Sequence, residues 1–253
     1  MLWYKAWLET RWRFVTGLVL GAGFAALVVL AYPTLGSLQV DVSQVPGPFR
    51  RMAEEGLALV KDYDGYVWSQ WFGKNLLNVW TFFAVLVGVG GVVTETSRGT
   101  ALWTLALPAT RARLLGVRAA VGALELLALA LVPSLLIPAL SPVIGKTYPL
   151  ASALIYAATA FAGGLAFYGL SLLLSTVFAD QLKPVIVGLG VAFGLSLASL
   201  FSKTVARYSI FSVMSGEKYF REGALPWAGL AACLGIAAAS YLVALRVLER
   251  RDF

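Results

Sequence analysis

The groups in this sequence that could do chemistry are few, and their types and spacing exclude most of it. No histidine occurs among the 253 residues, which removes His-dependent triads, His metal sites and the commonest acid–base residue together. The single cysteine, Cys233, lies in an apolar run, so neither an intrachain disulfide nor a Cys-x-x-Cys metal pair can form, and it reads as a packing residue. Gly145, Lys146 and Thr147 look like the end of a phosphate-binding loop, but the glycine required five positions earlier is Leu140. The chain has no nucleotide site of its own, and no catalytic residue or metal ligand is expected. Two features remain: Glu125, a carboxylate alone in a long apolar run, and the polar stretch ETSRGTALWTLALPATRARLLGVR from Glu95 to Arg118.

Glu125 lies about ten residues into the third long apolar run. A charge at the centre of a bilayer costs about 2.5 to 3.5 kcal/mol on insertion scales, and the leucines around it, at about 0.3 to 0.6 kcal/mol each, offset that cost. Two readings stand side by side. Glu125 is a polar point in a substrate path or a proton-linked group, or it is a protonated or hydrogen-bonded residue that fixes packing.

The elements that must position these groups are set by composition. The chain is 59% hydrophobic and 13% charged, with mean hydropathy +0.80, against about 45 to 50% apolar and 25% charged in soluble domains. It reads as an integral membrane protein. The net charge of +7 comes from basic residues at the ends of apolar runs, which fits membrane topology and anionic lipid better than nucleic acid. A bilayer core of about 30 Å takes roughly 20 helical residues. Six runs meet that length: 14–32, 76–93, 114–140, 150–178, 184–201 and 227–245. The expectation is one all-α polytopic domain over 1–253 with six transmembrane helices. With the termini inside, eleven of the 20 Lys and Arg residues fall on the cytoplasmic side and nine outside, and the inner ones sit in shorter segments, so both termini are expected in the cytoplasm.

Four connecting elements complete the expected topology. In residues 1–13, Lys5, Glu9 and Arg13 share one helical face while Trp3 and Trp7 share another, as in an interfacial helix lying in the headgroup layer. The run after it is longer than the core of a signal peptide and reads as a retained span. The long outer loop 33–75 allows one short helix and ends in an aromatic cluster, Tyr63, Tyr66, Trp68, Trp71 and Phe72, read mainly as an interfacial anchor. Residues 202–226, too mixed to cross a membrane and too apolar for an ordinary loop, fit an outer re-entrant or interfacial hairpin carrying Ile210, Phe211, Val213 and Met214. Small-xxx-small pairs, Gly17 with Gly21 and Gly190 with Gly194, permit close helix packing.

The polar stretch forms the cytoplasmic loop 94–113. Glu95 and Arg98 are three apart, hence neighbours on a helix surface. Gly99 allows a bend, 101–107 is helix-compatible, and Pro108 stops it before Arg111, Arg113 and Arg118 lead into the third span. From the residues alone this is a short helical loop rimmed with arginines.

The order Glu-x-x-x-Gly-Thr, a leucine-rich stretch, then Leu-Pro-x-Thr-Arg, carried by Glu95, Gly99, Thr100, Leu107, Pro108, Thr110 and Arg111, resembles the permease subunits of ABC transporters of the ABC-2 type. The approach to the second span, YVWSQWFGKNL, and the C-terminal LERRDF are similar to the same family. Thr96 and Ser97 depart from it, standing where many members carry charged residues.

What the resemblance implies is a transmembrane subunit, pairing with a second copy or a paralogue and docking two ATPase subunits. ATP and magnesium would be bound on those partners and no cofactor on this chain. The loop after the second span would be a coupling helix seated on the ATPase. In it Gly99 gives the turn, Glu95 and Arg98 hold the span end in register, Thr100 and Pro108 complete the motif, and Arg111 and Arg113 meet acidic groups. The implied location is a prokaryotic cytoplasmic membrane, and the implied role is export. A scaffold or regulatory subunit of an ATPase-driven complex is the alternative.

Overall fold

The computed structural model describes residues 2–36, 56, 58–91, 109–178, 180–201 and 203–250. Among these the chain is helical and has no strand. Helix α1 spans Leu2–Gly36, α2 Tyr63–Val67, a π-helical segment Trp68–Asn75, α3 Leu76–Gly88 and α4 Arg111–Leu140. A 3-10 turn, Ser141–Ile144, leads to α5 at Leu150–Val177, then α6 at Leu182–Phe201 and three short helices, α7 Lys203–Tyr208, α8 Ile210–Met214 and α9 Glu217–Glu222. Helix α10, Trp227–Arg250, completes the series.

Among the described residues, five helices (α1, α4, α5, α6 and α10) are long and apolar enough to cross a membrane. By length and composition these are the helices of a multi-pass membrane protein. The second expected span, 76–93, behaves differently. Helix α3 has only 13 residues, and it gains length backwards, because the π-helical segment and α2 run into it without a break. It stops at Gly88, where Val89 turns extended and Gly90 and Gly91 take φ values of 128° and 97°. Glycine alone adopts such angles without a Cβ penalty.

The separate interfacial helix expected over 1–13 is not separate. Residues 2–36 form one helix, for the physical reason that nothing from Glu9 to Phe14 breaks one. Glu9 and Arg13 reach neighbouring helices through the contacts given below, Glu9 itself staying exposed, and Trp3, Tyr4, Trp7 and Trp12 are exposed too.

Helix α5 is the centre of the bundle. It packs along α10 and also against α3, α4 and α8, while α1 lies along α4. Small residues set these approaches. A Cβ on Gly164 of α5 would lie 2.1 Å from the Trp80 ring of α3, and one on Gly169 would lie 2.9 Å from the backbone of Ala237 in α10. Of the two glycine pairs, Gly17 and Gly21 do seat neighbours, Phe83 and Pro133, whereas Gly190 and Gly194 meet nothing within 4 Å. Only 17% of the apolar window of α6, and the same share in α10, is buried inside the chain, so most of their apolar surface faces outward.

The aromatic cluster is core and not an interfacial anchor. Tyr66, Trp71 and Phe72 are at most 2% exposed, and the polar atoms of the cluster are satisfied inside the protein. Tyr66 donates to the carbonyl of Val28 (3.0 Å), Trp68 to that of Ser215 (3.0 Å) and Trp71 to the hydroxyl of Ser134 (3.3 Å). Of the expected hairpin 202–226, residues 203–226 hold the three short helices α7 to α9, with Ser209 capping α8, and residue 202 lies outside the described residues. Phe220 stacks on Trp68 at 4.2 Å, and Met214 is fully buried against Gly163. The apolar residues expected to make this segment a hairpin therefore face α5 and the aromatic cluster.

Candidate functional site

The only described carboxylate deep in the bundle organises the site. Glu125 is 5% exposed, and its Oε1 accepts a hydrogen bond of 2.7 Å from the hydroxyl of Thr10 in α1. Its Oε2 is buried without a hydrogen-bond partner. Arg118, two helical turns earlier on the same face of α4, does not reach it. The two terminal nitrogens of Arg118 go elsewhere, Nη1 to Glu9 Oε2 at 2.5 Å and Nη2 to the Val89 carbonyl at 2.8 Å. Glu9 also lies 3.8 Å from Lys5.

Arg13 closes the arrangement from α1. Its Nη1 donates to the carbonyls of Leu86 (2.6 Å) and Val89 (2.7 Å). These belong to the C-terminal turn of α3, whose carbonyls have no partners within the helix, and a cation there also suits the helix dipole. Gly90 is needed beside it: a Cβ would lie 2.6 Å from Arg118 Nη2. Three helices, α1, α3 and α4, are thus tied at one end of the bundle by two guanidiniums, and α5 adds Tyr168, whose hydroxyl donates to the carbonyl of Ala119 (3.1 Å). A half-open cavity of about 50 Å³ lies beside this knot, lined among others by Lys5, Glu9, Gly91, Arg118 and Leu248.

The residues expected to form the coupling site fall on two sides of a boundary. Glu95, Arg98, Gly99, Thr100 and Pro108 lie outside the described residues, as does the tail from Arg251 to Phe253. Thr110, Arg111 and Arg113 are described, and they give the Leu-Pro-x-Thr-Arg order a physical account. Thr110 is the N-cap of α4, its hydroxyl accepting from the backbone N–H of Arg113 at 3.2 Å. Arg111 Nη1 donates to the carbonyls of Leu248 and Glu249, each at 3.1 Å, so it binds the C-terminal turn of α10. Arg113 is exposed. The two arginines expected to act alike toward a partner are therefore different in kind.

Glu9, Thr10, Arg13 and Tyr168 join the site beyond the residues that the sequence singles out. The signal for the first three existed: polar residues at the spacing of one helical face precede an apolar run that elsewhere contains a lone acid. By composition that segment suits lipid headgroups, whereas its polar side chains bond to Arg118, Glu125 and the end of α3. Among the described residues no group of three or more His, Cys, Asp or Glu side chains could hold a metal ion. Comparison with protein-family models, curated proteins and solved structures gives no match.

Proposed function

We propose that this chain is the membrane-spanning permease subunit of an ATP-driven ABC transporter of the ABC-2 type, exporting substrate across a prokaryotic cytoplasmic membrane with both termini inside. In this reading the chain crosses the membrane six times, α3 with its π-helical extension serving as the second crossing. It works as a pair with a second copy or a paralogue, and two separate subunits bind ATP and magnesium.

One observation carries the reading. The described residues on either side of positions 92–108, which hold most of the resembling motif, are anchored by arginines: the end of α3 by Arg13 and Arg118, the start of α4 by Arg111 on α10. A loop that transmits force from an ATPase needs rigid attachment at both ends. Here both attachments are charge-assisted hydrogen bonds, the stronger kind. Arg111 then serves the permease internally, and Arg113 is the arginine available to meet an acidic partner.

The test is co-purification of the full chain with candidate ATPase subunits. A complex with coupled ATP turnover is expected, and Arg113→Glu is expected to weaken association while the isolated subunit keeps its thermal stability. Failure of any ATPase to associate, or undiminished association and turnover in the Arg113 variant, would count against the docking assignment. Association with ATP turnover that no lipid, peptide or drug stimulates would favour the scaffold or regulatory alternative.

A further inference from the structure

Thr10 and Glu125 meet across the α1–α4 contact in a geometry that serves two charge states. We infer that they form a proton-binding site: the carboxyl group of Glu125 takes up and releases one proton inside the bundle, and the Thr10 hydroxyl changes from donor to acceptor as it does so.

The hydroxyl has one hydrogen and more than one acceptor in reach. Thr10 Oγ1 lies 2.7 Å from Glu125 Oε1, 3.2 Å from the Ala6 carbonyl and 3.4 Å from the Trp7 carbonyl. When Glu125 is ionised, Thr10 donates to Oε1. When a proton is added at Oε1, the new O–H donates to Thr10 Oγ1, and the threonine hydrogen turns to the Ala6 carbonyl. One O–H bond forms on the carboxyl group, the proton comes from water, and no hydrogen bond is lost. A proton on Oε2 would have no acceptor, because that oxygen has no partner. A hydroxyl is the side-chain group suited to this exchange, since it both donates and accepts.

The surrounding charges leave both states open. Arg118 from α4, Arg13 from α1 and Tyr168 from α5 are the charged and titratable groups that act on Glu125, and Thr10 from α1 is the hydroxyl bonded to it. Neither arginine is bonded to it, for Arg118 holds Glu9 and Val89 and Arg13 holds the end of α3. The cavity beside Glu9 and Arg118, about 50 Å³ in volume, exceeds the roughly 10–15 Å³ one water requires; it is lined by Arg118 and Glu9 and not by Thr10 or Glu125. Ionised Glu125 attracts Arg118 in competition with Glu9, and protonation leaves Arg118 to Glu9. The proton is therefore linked to the knot that ties α1, α3 and α4, and this holds whether or not the chain is a permease.

The experiment is infrared difference spectroscopy of the full chain in lipid nanodiscs between acidic and alkaline buffer. Among the carboxyl bands that titrate, one belonging to Glu125 is expected. It should be lost in Glu125→Gln, shifted in frequency in Thr10→Val, and restored to the original frequency in Thr10→Ser. A merely structural pair predicts that Glu125→Gln removes no titrating band, or that Thr10→Val leaves that band in place, and either outcome would overturn the inference. If Glu125→Gln does not fold, Glu125→Asp supplies the assignment: the absence of any titrating band whose frequency both that change and Thr10→Val move overturns it equally.

Discussion

Arg13 and Arg118, from different helices, converge on one backbone atom, the carbonyl oxygen of Val89, at 2.7 and 2.8 Å. Val89 follows the last residue of α3, so the two guanidiniums together hold the place where that helix ends and the segment toward α4 begins. A glycine at position 90 makes room for them.

Removing one of them tests how much the knot holds. Arg13→Ala deletes two hydrogen bonds from a charged donor to carbonyls that α3 cannot satisfy itself. Hydrogen bonds to charged groups contribute about 1.5 to 3 kcal/mol each, and Arg118 still covers Val89, so the expected loss is about 2 kcal/mol. A lowered melting temperature of the detergent-solubilised chain, with Arg13→Lys intermediate, is the expected reading. An unchanged melting temperature would show that Leu86 and Val89 find water instead.

The contact of α5 with α4 gives a second test. A Cβ at Gly122 would lie 2.2 Å from the Tyr168 hydroxyl oxygen and 2.9 Å from Val87 Cγ1. Gly122→Ala must displace the tyrosine and break its bond to Ala119. Overpacking of this kind costs about 1 to 3 kcal/mol. The companion change Tyr168→Phe removes the nearest atom, so the double variant is expected to recover part of the loss and not all of it, the Val87 contact remaining. Thermal unfolding of the two single variants and the double variant measures that coupling.

These two sites show what could be read in the chain and what could not. Hydropathy located the long helices because a membrane-crossing helix must be apolar over most of its length, and that property is local. The end of α3 was placed too late, at Val93, because Val92 and Val93 are as apolar as what precedes them, while Gly90 and Gly91 signal a stop only once a partner such as Arg118 is known. Glu125 was legible as an exception in an apolar run. Its partner Thr10 is 115 residues away, and one threonine near a helix start carries no mark of that distance. The aromatic cluster was legible as a cluster but not as core, since Trp and Tyr suit both a headgroup layer and a buried site with acceptors. Arg111 and Arg113 look equivalent in sequence, and only the position of α10 separates them.

The connection between α5 and α6 yields a pH dependence. Asp180 Oδ1 accepts from the backbone N–H of Lys183 at 2.8 Å, and its Oδ2 lies 3.2 Å from the Lys183 ammonium. The backbone hydrogen bond, first, and the lysine charge beside it hold the Asp180 carboxyl below its ordinary value of 3.8. An acid whose value falls on folding adds stability that is complete above the unfolded value and is lost as pH drops through the folded one. The window is therefore acidic, from about the ordinary aspartate value downward. The group is exposed, so the effect is small and screened by salt. It is also local, because Asp180 caps the first turn of α6, the helix with little burial inside the chain. Amide exchange in that first turn should accelerate as pH falls through this window, after correction for intrinsic exchange rates. Asp180→Asn keeps a side-chain oxygen that can cap but cannot titrate, so its exchange should be flat across the same window; equal acid sensitivity in both proteins would assign the change to another group.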